Sequence, residues 1–389
     1  MWRLLWRLPS APRSIMVSAG EASSDYHAGE LVRELRRRWP ECVFFGCAGP
    51  HMREAGVRAV IRSEDLSVVG IVEVIGHLPR IFARFRKLTQ AAAREKPHLA
   101  ILTDAPDFHF PVARKLKRLG IPVVYFVAPQ VWAWRKRRVK TMRRVIDLLL
   151  CIFPFEEAFF SEHKVNTTYI GHPLASRIRP ALSREEFFRK HNLDPGRPLI
   201  AVLPGSRRGE ALRHLPELVR AADILSKDRA LNFVLPASPN CGAAFFREHI
   251  GGTGIQAIEG ESWDALAHCD VALAKSGTGN VEAALLGAPM VTFYRVTGVS
   301  WAIGKLLVDV PFYSMVNLIA QKKVVPELMQ DEMTGERLAA ETTRLLDDAN
   351  ERGKMKEELA LVASLLSGDG SDAISRAADA IERMSGDLN

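Results

Sequence analysis

Asp104 closes a short apolar run, Leu99-Ala100-Ile101-Leu102-Thr103, that Pro97 bounds upstream. Such a run reads as a buried strand of a parallel sheet. Pro106 forces a turn just after it, because proline lacks a backbone donor and disfavours helix at Ala105. A carboxylate just past the carboxyl end of a central strand lies where open α/β sheets bind ligands, and there it can take a proton from an attacking hydroxyl. The same residues also fit a simpler job, with Asp104 or Asp107 capping a helix over residues 110–119. Two more stretches bear on chemistry: Pro204-Gly205-Ser206-Arg207, and Lys275-Ser276-Gly277-Thr278-Gly279-Asn280. Each follows an apolar run and opens a helix, so each can aim backbone N–H groups at a phosphate, and Arg207 can add a charge-assisted contact. Neither is a P-loop, since no G-x-x-x-x-G-K-[ST] occurs.

Positioning these groups takes two α/β halves. In the first, the pattern predicts strands over residues 14–19, 42–46, 99–103, 121–128, 148–153 and 167–170, with helices between them. The first strand runs into Gly20-Glu21-Ala22-Ser23-Ser24-Asp25, then a helix from about His27 whose Ala28, Leu31, Val32 and Leu35 share one face. A strand, a small polar loop and a helix suit an anionic or hydroxyl-rich ligand, while the missing G-x-G-x-x-G argues against a dinucleotide. The polar, proline-bearing stretch 177–198 reads as a linker. The second half predicts strands over 199–203, 231–235, 254–258, 271–274 and 289–294, and the chain closes in helices near 335–347, 352–366 and 372–384. The second half carries the nucleotide-type turns and the first carries the carboxylate.

A chain of 389 residues with 47% hydrophobic content predicts two globular domains. Its five cysteines are scattered, without a C-x-x-C pair, and read as small core residues in a reducing, cytoplasmic compartment. The formal charge of +8 favours anionic partners: nucleic acid, phosphorylated substrates or an anionic membrane surface. No run approaches the ~20 apolar residues of a membrane span. Residues 1–9 lack the apolar core of a signal peptide and read as an extension, with weak interfacial contact through Trp2 and Trp6 as the alternative.

Within residues 68–88, Pro79 is placed to open a helix. Leu78, Phe82, Phe85 and Leu88 then share one face, and Arg80, Arg84 and Lys87 another. Two readings stand at this point: a packed helix with a solvated basic face, or an apolar patch rimmed with cations that docks on anionic lipid. Downstream, seven of the ten residues Arg135–Arg144 are basic, just after Trp132 and Trp134. That cluster suits nucleic acid, a phosphate or a membrane, although no nucleic-acid-binding motif accompanies it.

Many short motifs occur in a fixed order: Gly20-Glu21-Ala22-Ser23-Ser24-Asp25, Ala48-Gly49-Pro50, Gly70-Ile71-Val72-Glu73-Val74, Asp104-Ala105-Pro106-Asp107-Phe108, Pro129-Gln130-Val131-Trp132-Ala133-Trp134-Arg135 and Ile170-Gly171-His172. The second half adds Leu203-Pro204-Gly205-Ser206-Arg207, Ser276-Gly277-Thr278 with Glu282, and Pro289-Met290-Val291. Together they resemble the lipid-A-disaccharide synthase family of glycosyltransferases, from about Ser14 into the closing helices. Ser24 stands where the family more often has Gly, and Gly279-Asn280 where other small residues are usual.

The resemblance implies a GT-B fold, an α/β architecture of two Rossmann-like domains facing across a cleft. Residues 14–176 would form an acceptor and membrane-facing domain, 177–198 the linker, 199–350 a UDP-sugar domain and 351–389 closing helices. It implies transfer of 2,3-diacylglucosamine from UDP to the 6-hydroxyl of 2,3-diacylglucosamine 1-phosphate, with inversion, giving the β-1,6 lipid A disaccharide and UDP. Asp104 would be the base. Gly205, Ser206, Arg207, Ser276, Gly277, Thr278, Glu282 and Asn317 would bind UDP, with Glu282 on the ribose. Glu21, Ser23, Asp25, Trp132, Trp134 and Arg135 would hold the acceptor and its lipid. Acylated substrates turn the 68–88 segment into the expected docking surface on the anionic inner face of the bacterial inner membrane. No cofactor, metal or nucleic acid is expected, and a homodimer is compatible. The alternatives are another GT-B UDP-sugar enzyme, such as the peptidoglycan N-acetylglucosaminyl transferase or UDP-N-acetylglucosamine 2-epimerase, and, from another class, a basic nucleic-acid-binding module.

Overall fold

A computed structural model describes residues 12–65 and 71–386. They form two compact units: one takes the residues up to Ser176 together with those from Leu366 on, and the other is Arg177–Leu365.

The first unit is built on a seven-stranded parallel sheet of β1 (Ser14–Ala19), β2 (Val43–Ala48), β3 (Arg58–Arg62), β4 (Leu99–Thr103), β5 (Val123–Phe126), β6 (Leu148–Cys151) and β7 (Thr167–Tyr169), in the order β3-β2-β1-β4-β5-β6-β7. All five residues of β4 are buried, as a central strand covered on both faces requires. The order reverses between β1 and β4, which creates a switch point at their carboxyl ends. The second unit repeats the plan with β8 (Leu199–Leu203), β9 (Asn232–Ala237), β10 (Ile255–Glu259), β11 (Val271–Lys275), β12 (Met290–Tyr294) and β13 (Glu327–Met329), ordered β10-β9-β8-β11-β12-β13. Its switch point lies between β8 and β11. All five cysteines are buried and unbridged.

Several elements differ from the sequence expectation. Strands β3 and β13 lie outside the predicted set; both are short edge strands. The first helix begins at Ala22, not near His27, because Ser24 Oγ accepts from the Glu21 amide at 3.0 Å and donates to the Glu21 carbonyl at 2.8 Å, closing its first turn. Pro79 lies inside the Ile71–Glu95 helix instead of opening it. The helix after β4 runs over Pro106–Arg118, with Pro106 in the first turn, where its missing N–H costs nothing. The stretch expected as a linker packs within the second unit: its Arg184–Lys190 helix buries Phe187 and Phe188, and the Asp264 carboxylate accepts from the amides of Ala181 and Leu182 at 2.8 and 2.7 Å.

The last described helix, Ala373–Gly386, belongs to the first unit. Arg38 reaches Asp379 at 2.5 Å and Glu382 at 2.9 Å, and Arg376 Nε donates to the Ile170 carbonyl at 2.6 Å. Among the described residues no helix is long and apolar enough to cross a membrane.

Candidate functional site

In the first unit Ala19 pairs with Thr103, which brings the loops after β1 and β4 side by side. Asp104 and Ala105 both adopt left-handed backbone, with φ of 58° and 42°. For residues with a Cβ this costs about 1–2 kcal/mol each, so something must hold the turn. Two bonds do. The Asp104 carbonyl accepts from the Tyr125 hydroxyl at 2.6 Å and from His109 Nδ1 at 2.6 Å. A carbonyl only accepts, so the His109 proton sits on Nδ1, and Nε2 must then accept from Ser18 Oγ at 2.7 Å. Burial lowers the His109 pKa to about 4 and keeps that ring neutral. Gly20 makes room for the turn: a Cβ there would lie 2.3 Å from the Ala105 Cβ.

The Asp104 side chain does not cap the following helix, whose N-cap is Ala105. It is half-buried, and burial raises its pKa, opposed by the Ala105 amide and by a hydrogen bond with the Glu21 side chain. The result is a carboxyl held at a strand end beside a second carboxyl, a suitable acceptor for a hydroxyl proton.

The other expected acceptor residues divide. Glu21, Ser23 and Trp134 are exposed, and the Arg135 guanidinium lies 3.9 Å from the Trp134 ring centroid while Nη1 reaches Asp107 at 3.2 Å. Asp25 is instead built into the fold. Its carboxylate accepts from the amides of Gly49, His51 and Met52 at 2.7, 2.9 and 3.3 Å, anchoring the start of the Pro50–Glu54 helix. Trp132 is buried, donating from Nε1 to Glu156 Oε1 at 3.0 Å.

The docking face also divides. Phe82 is 66% exposed and its ring stacks on half-buried Phe85 at 6.1 Å. Arg80 and Lys87 are exposed, and Arg84 lies 3.4 Å from Asp65. Leu88 is fully buried and takes no part in a surface, because its side of the helix, shared with buried Ala91 and Ala92, faces the core. The Leu78 side chain lies outside the described residues.

The second unit's switch point holds a pocket of about 370 Å³ lined by Gly205, Ser206, Lys275, Gly277, Thr278 and Glu282, with other small residues. Two helix starts converge on it, Arg208–Asp228 after Arg207 and Thr278–Leu285 after Gly277. One Glu282 oxygen accepts from Trp263 Nε1 at 3.1 Å, the other has no hydrogen-bond partner among the described residues, and burial raises the carboxyl's pKa. Lys275 is the residue sequence reading missed, although it stands directly before Ser-Gly-Thr. Its Nζ lies 3.1 Å from Glu210 Oε1 and 5.3 Å from the Tyr294 ring centroid. Arg207 is exposed at the N-cap and does not line the pocket. Ser276 Oγ donates to the Tyr313 carbonyl at 2.8 Å.

Asn317, expected at the nucleotide, is fully buried with its amide saturated. Nδ2 donates to the Val325 carbonyl and Glu327 Oε1 at 3.0 and 2.8 Å, and Oδ1 accepts from the amides of Val324 and Val325 at 2.7 and 2.9 Å. It holds the loop before β13 and has no bond left for a ligand.

The family model described as lipid-A-disaccharide synthetase matches residues 15–379. The lipid-A-disaccharide synthase of Solibacter usitatus is 62% identical over 370 residues, 95% of this chain and 97% of the relative. That of Geobacter metallireducens is 40% identical over 362 residues, covering 92% and 94%. Among solved structures, a UDP-GlcNAc 2-epimerase from Neisseria meningitidis aligns with a TM-score of 0.66 at 11% identity, covering 95% of this chain and all of that one (100%). A calicheamicin glycosyltransferase aligns at 0.61 with 18% identity, covering 96% and 98%. These distant structures show the GT-B fold, and the close sequence relatives decide among enzymes that share it. The chain belongs to the lipid-A-disaccharide synthase family, glycosyltransferases of lipid A biosynthesis.

Proposed function

We propose that this protein transfers 2,3-diacylglucosamine from UDP to the 6-hydroxyl of 2,3-diacylglucosamine 1-phosphate, with inversion, forming the β-1,6-linked lipid A disaccharide and UDP. The observation that carries the assignment of roles is that each unit has its own switch-point feature: a half-buried Asp104 carboxyl in the first, and in the second a pocket with two helix starts and Glu282. Asp104 takes the proton from the attacking hydroxyl. Glu282 holds the ribose hydroxyls, and the helix starts with Arg207 stabilise the charge that grows on the departing UDP. Lys275 adds a cation to that pocket.

The acylated substrates place the reaction at a membrane surface, on the cytoplasmic side of the inner membrane. Exposed Phe82 and half-buried Phe85, with Arg80, Arg84 and Lys87 on the same helix, support docking on an anionic leaflet. The deciding assay follows UDP release from UDP-2,3-diacylglucosamine with and without the acylated 1-phosphate, and the linkage of the product. Release that needs the acceptor and yields a β-1,6 disaccharide supports the assignment; acceptor-independent release or another linkage overturns it.

A further inference from the structure

Two helices of the first unit line a groove with matching stripes. On Ile71–Glu95 the stripe is Phe82, Phe85, Arg86 and Thr89; on Pro106–Arg118 it is Pro111, Arg114, Lys115 and Arg118. Each set follows the i, i+3, i+4, i+7 spacing of one helix face. The groove they line measures about 510 Å³ and its lining contains no Asp or Glu. Arg86, Arg114, Lys115 and Arg118 are all exposed, and among the described residues none of the four is paired with a carboxylate. Cations elsewhere in this unit do find acids: Lys117, on the same helix, reaches Asp147 at 2.6 Å, Arg53 reaches Glu64 at 2.8 Å and Arg84 reaches Asp65 at 3.4 Å. Arg114 and Arg118 stand four apart on one helix face, where like charges repel. Four cations held together without a counter-charge, beside two partly bare phenylalanine rings, make a surface complementary to an anion that carries apolar chains.

We propose that this groove is a headgroup site for an anionic glycerophospholipid of the bilayer. The guanidinium forks match phosphate oxygens in bidentate geometry. Phe82 and Phe85 lie against the glycerol and the first methylenes of the chains. A zwitterionic headgroup would bring its own cation among four others and is disfavoured. The proposal rests on the membrane reading above and deepens it. It names the lipid class and assigns three cations on a second helix that the docking face does not include.

The test uses the full chain and a soluble probe, dihexanoyl-phosphatidylglycerol below its micelle concentration, titrated by calorimetry. Dihexanoyl-phosphatidylcholine and inorganic phosphate are the comparison ligands. Saturable 1:1 binding of the phosphatidylglycerol is expected, weakened at least about tenfold in Arg114→Gln/Arg118→Gln and unchanged in Lys354→Gln/Lys356→Gln, which loses the same charge from the other unit. Melting curves establish that the variants are folded, and the single Lys115→Gln serves if the double variant is not. Equal affinity in the groove variants overturns the site. Inorganic phosphate binding as tightly as the lipid, or phosphatidylcholine binding equally, overturns the lipid class. A wild-type protein that binds the soluble lipid yet fails to sediment with phosphatidylglycerol vesicles removes the docking reading and leaves the groove standing.

Discussion

His109 Nδ1 lies 2.6 Å from the carbonyl oxygen of Asp104, five residues back along the chain. That bond, doubled by the Tyr125 hydroxyl on the same oxygen, keeps two consecutive non-glycine residues in left-handed backbone and aims the Asp104 side chain. His109 is buried, so under the proposed function its role is to position Asp104.

His109→Phe should therefore lower kcat by about tenfold or more while leaving KM and UDP affinity close to wild type, and Tyr125→Phe, which removes one bond of the two, should do less. The same histidine gives a pH signature. Its folded pKa, lowered to about 4 from 6.5, lies below the unfolded one, so the stability it lends is complete above pH 6.5 and drains away as pH falls toward 4. His109→Phe should flatten the acid side of a plot of Tm against pH in that window. An unchanged slope would remove His109 from the account.

Asp104→Asn should bind UDP normally and lose turnover by about two or more orders of magnitude, since only the proposed proton acceptor is gone. Burial raises the Asp104 pKa, so the acid limb of the wild-type rate profile should lie higher in pH than an ordinary aspartate would put it. Near-normal turnover in a folded variant would move the base to another group.

Arg207→Ala should weaken UDP binding and also slow the chemical step, because charge on the leaving UDP grows toward the transition state. Its exposed position at a helix start leaves it free to swing onto a phosphate. Titration calorimetry and single-turnover rates check both halves, and no change in either would sink the role.

Gly49→Ala should damage folding more than function. A Cβ there would sit 2.4 Å from Asp25 Cγ and push apart the carboxylate that holds three amides at the start of the next helix. Uncovering such a buried carboxylate costs about 1–3 kcal/mol or more, readable as a lower midpoint in urea. A wild-type midpoint would show that the loop gives way cheaply.

Phe82→Ser/Phe85→Ser should keep its melting temperature, since Phe82 is exposed and Phe85 half-buried, and should bind anionic vesicles more weakly without loss of UDP affinity. Each ring withdrawn from the interface forfeits up to ~1.5–3 kcal/mol, and the part carried by neighbouring cations should fade with salt. Vesicle co-sedimentation at two salt concentrations reads it. Full binding by the folded variant would rule this face out.

How far the sequence could be read depended on whether the signal was local. Strands β1, β4 and β8 have the bounds their composition predicts, because a strand buried on both faces is apolar throughout and stops where polarity returns. The expected ends of β5 and β6 ran too far because Ile121, Ala128 and Phe153 extend the apolar run into buried loops. β3 and β13 hold too few apolar residues to stand out. The pocket residues Gly205, Ser206, Gly277, Thr278 and Glu282 do meet, since each turn and helix start is written in consecutive residues. Asp25, Trp132 and Asn317 could not be read that way. Their partners Gly49, Glu156 and Val325 with Glu327 are chosen by the folded sheet, and spacing along the chain does not reveal them. Leu88 shows the same limit: helical periodicity groups residues on a face but does not say which face meets the core.

The return of Ala373–Gly386 to the first unit has a consequence for synthesis on the ribosome. That helix packs on Ala22–Arg38 and on β6, yet it is translated only after all of Arg177–Leu365. At roughly 5–20 residues per second the intervening stretch takes on the order of 10–40 s to emerge. Through that interval Arg38 has neither Asp379 nor Glu382 to pair with, and the Ile170 carbonyl lacks Arg376. The nascent first unit therefore waits with one flank bare, and the unit translated second is the first to be complete.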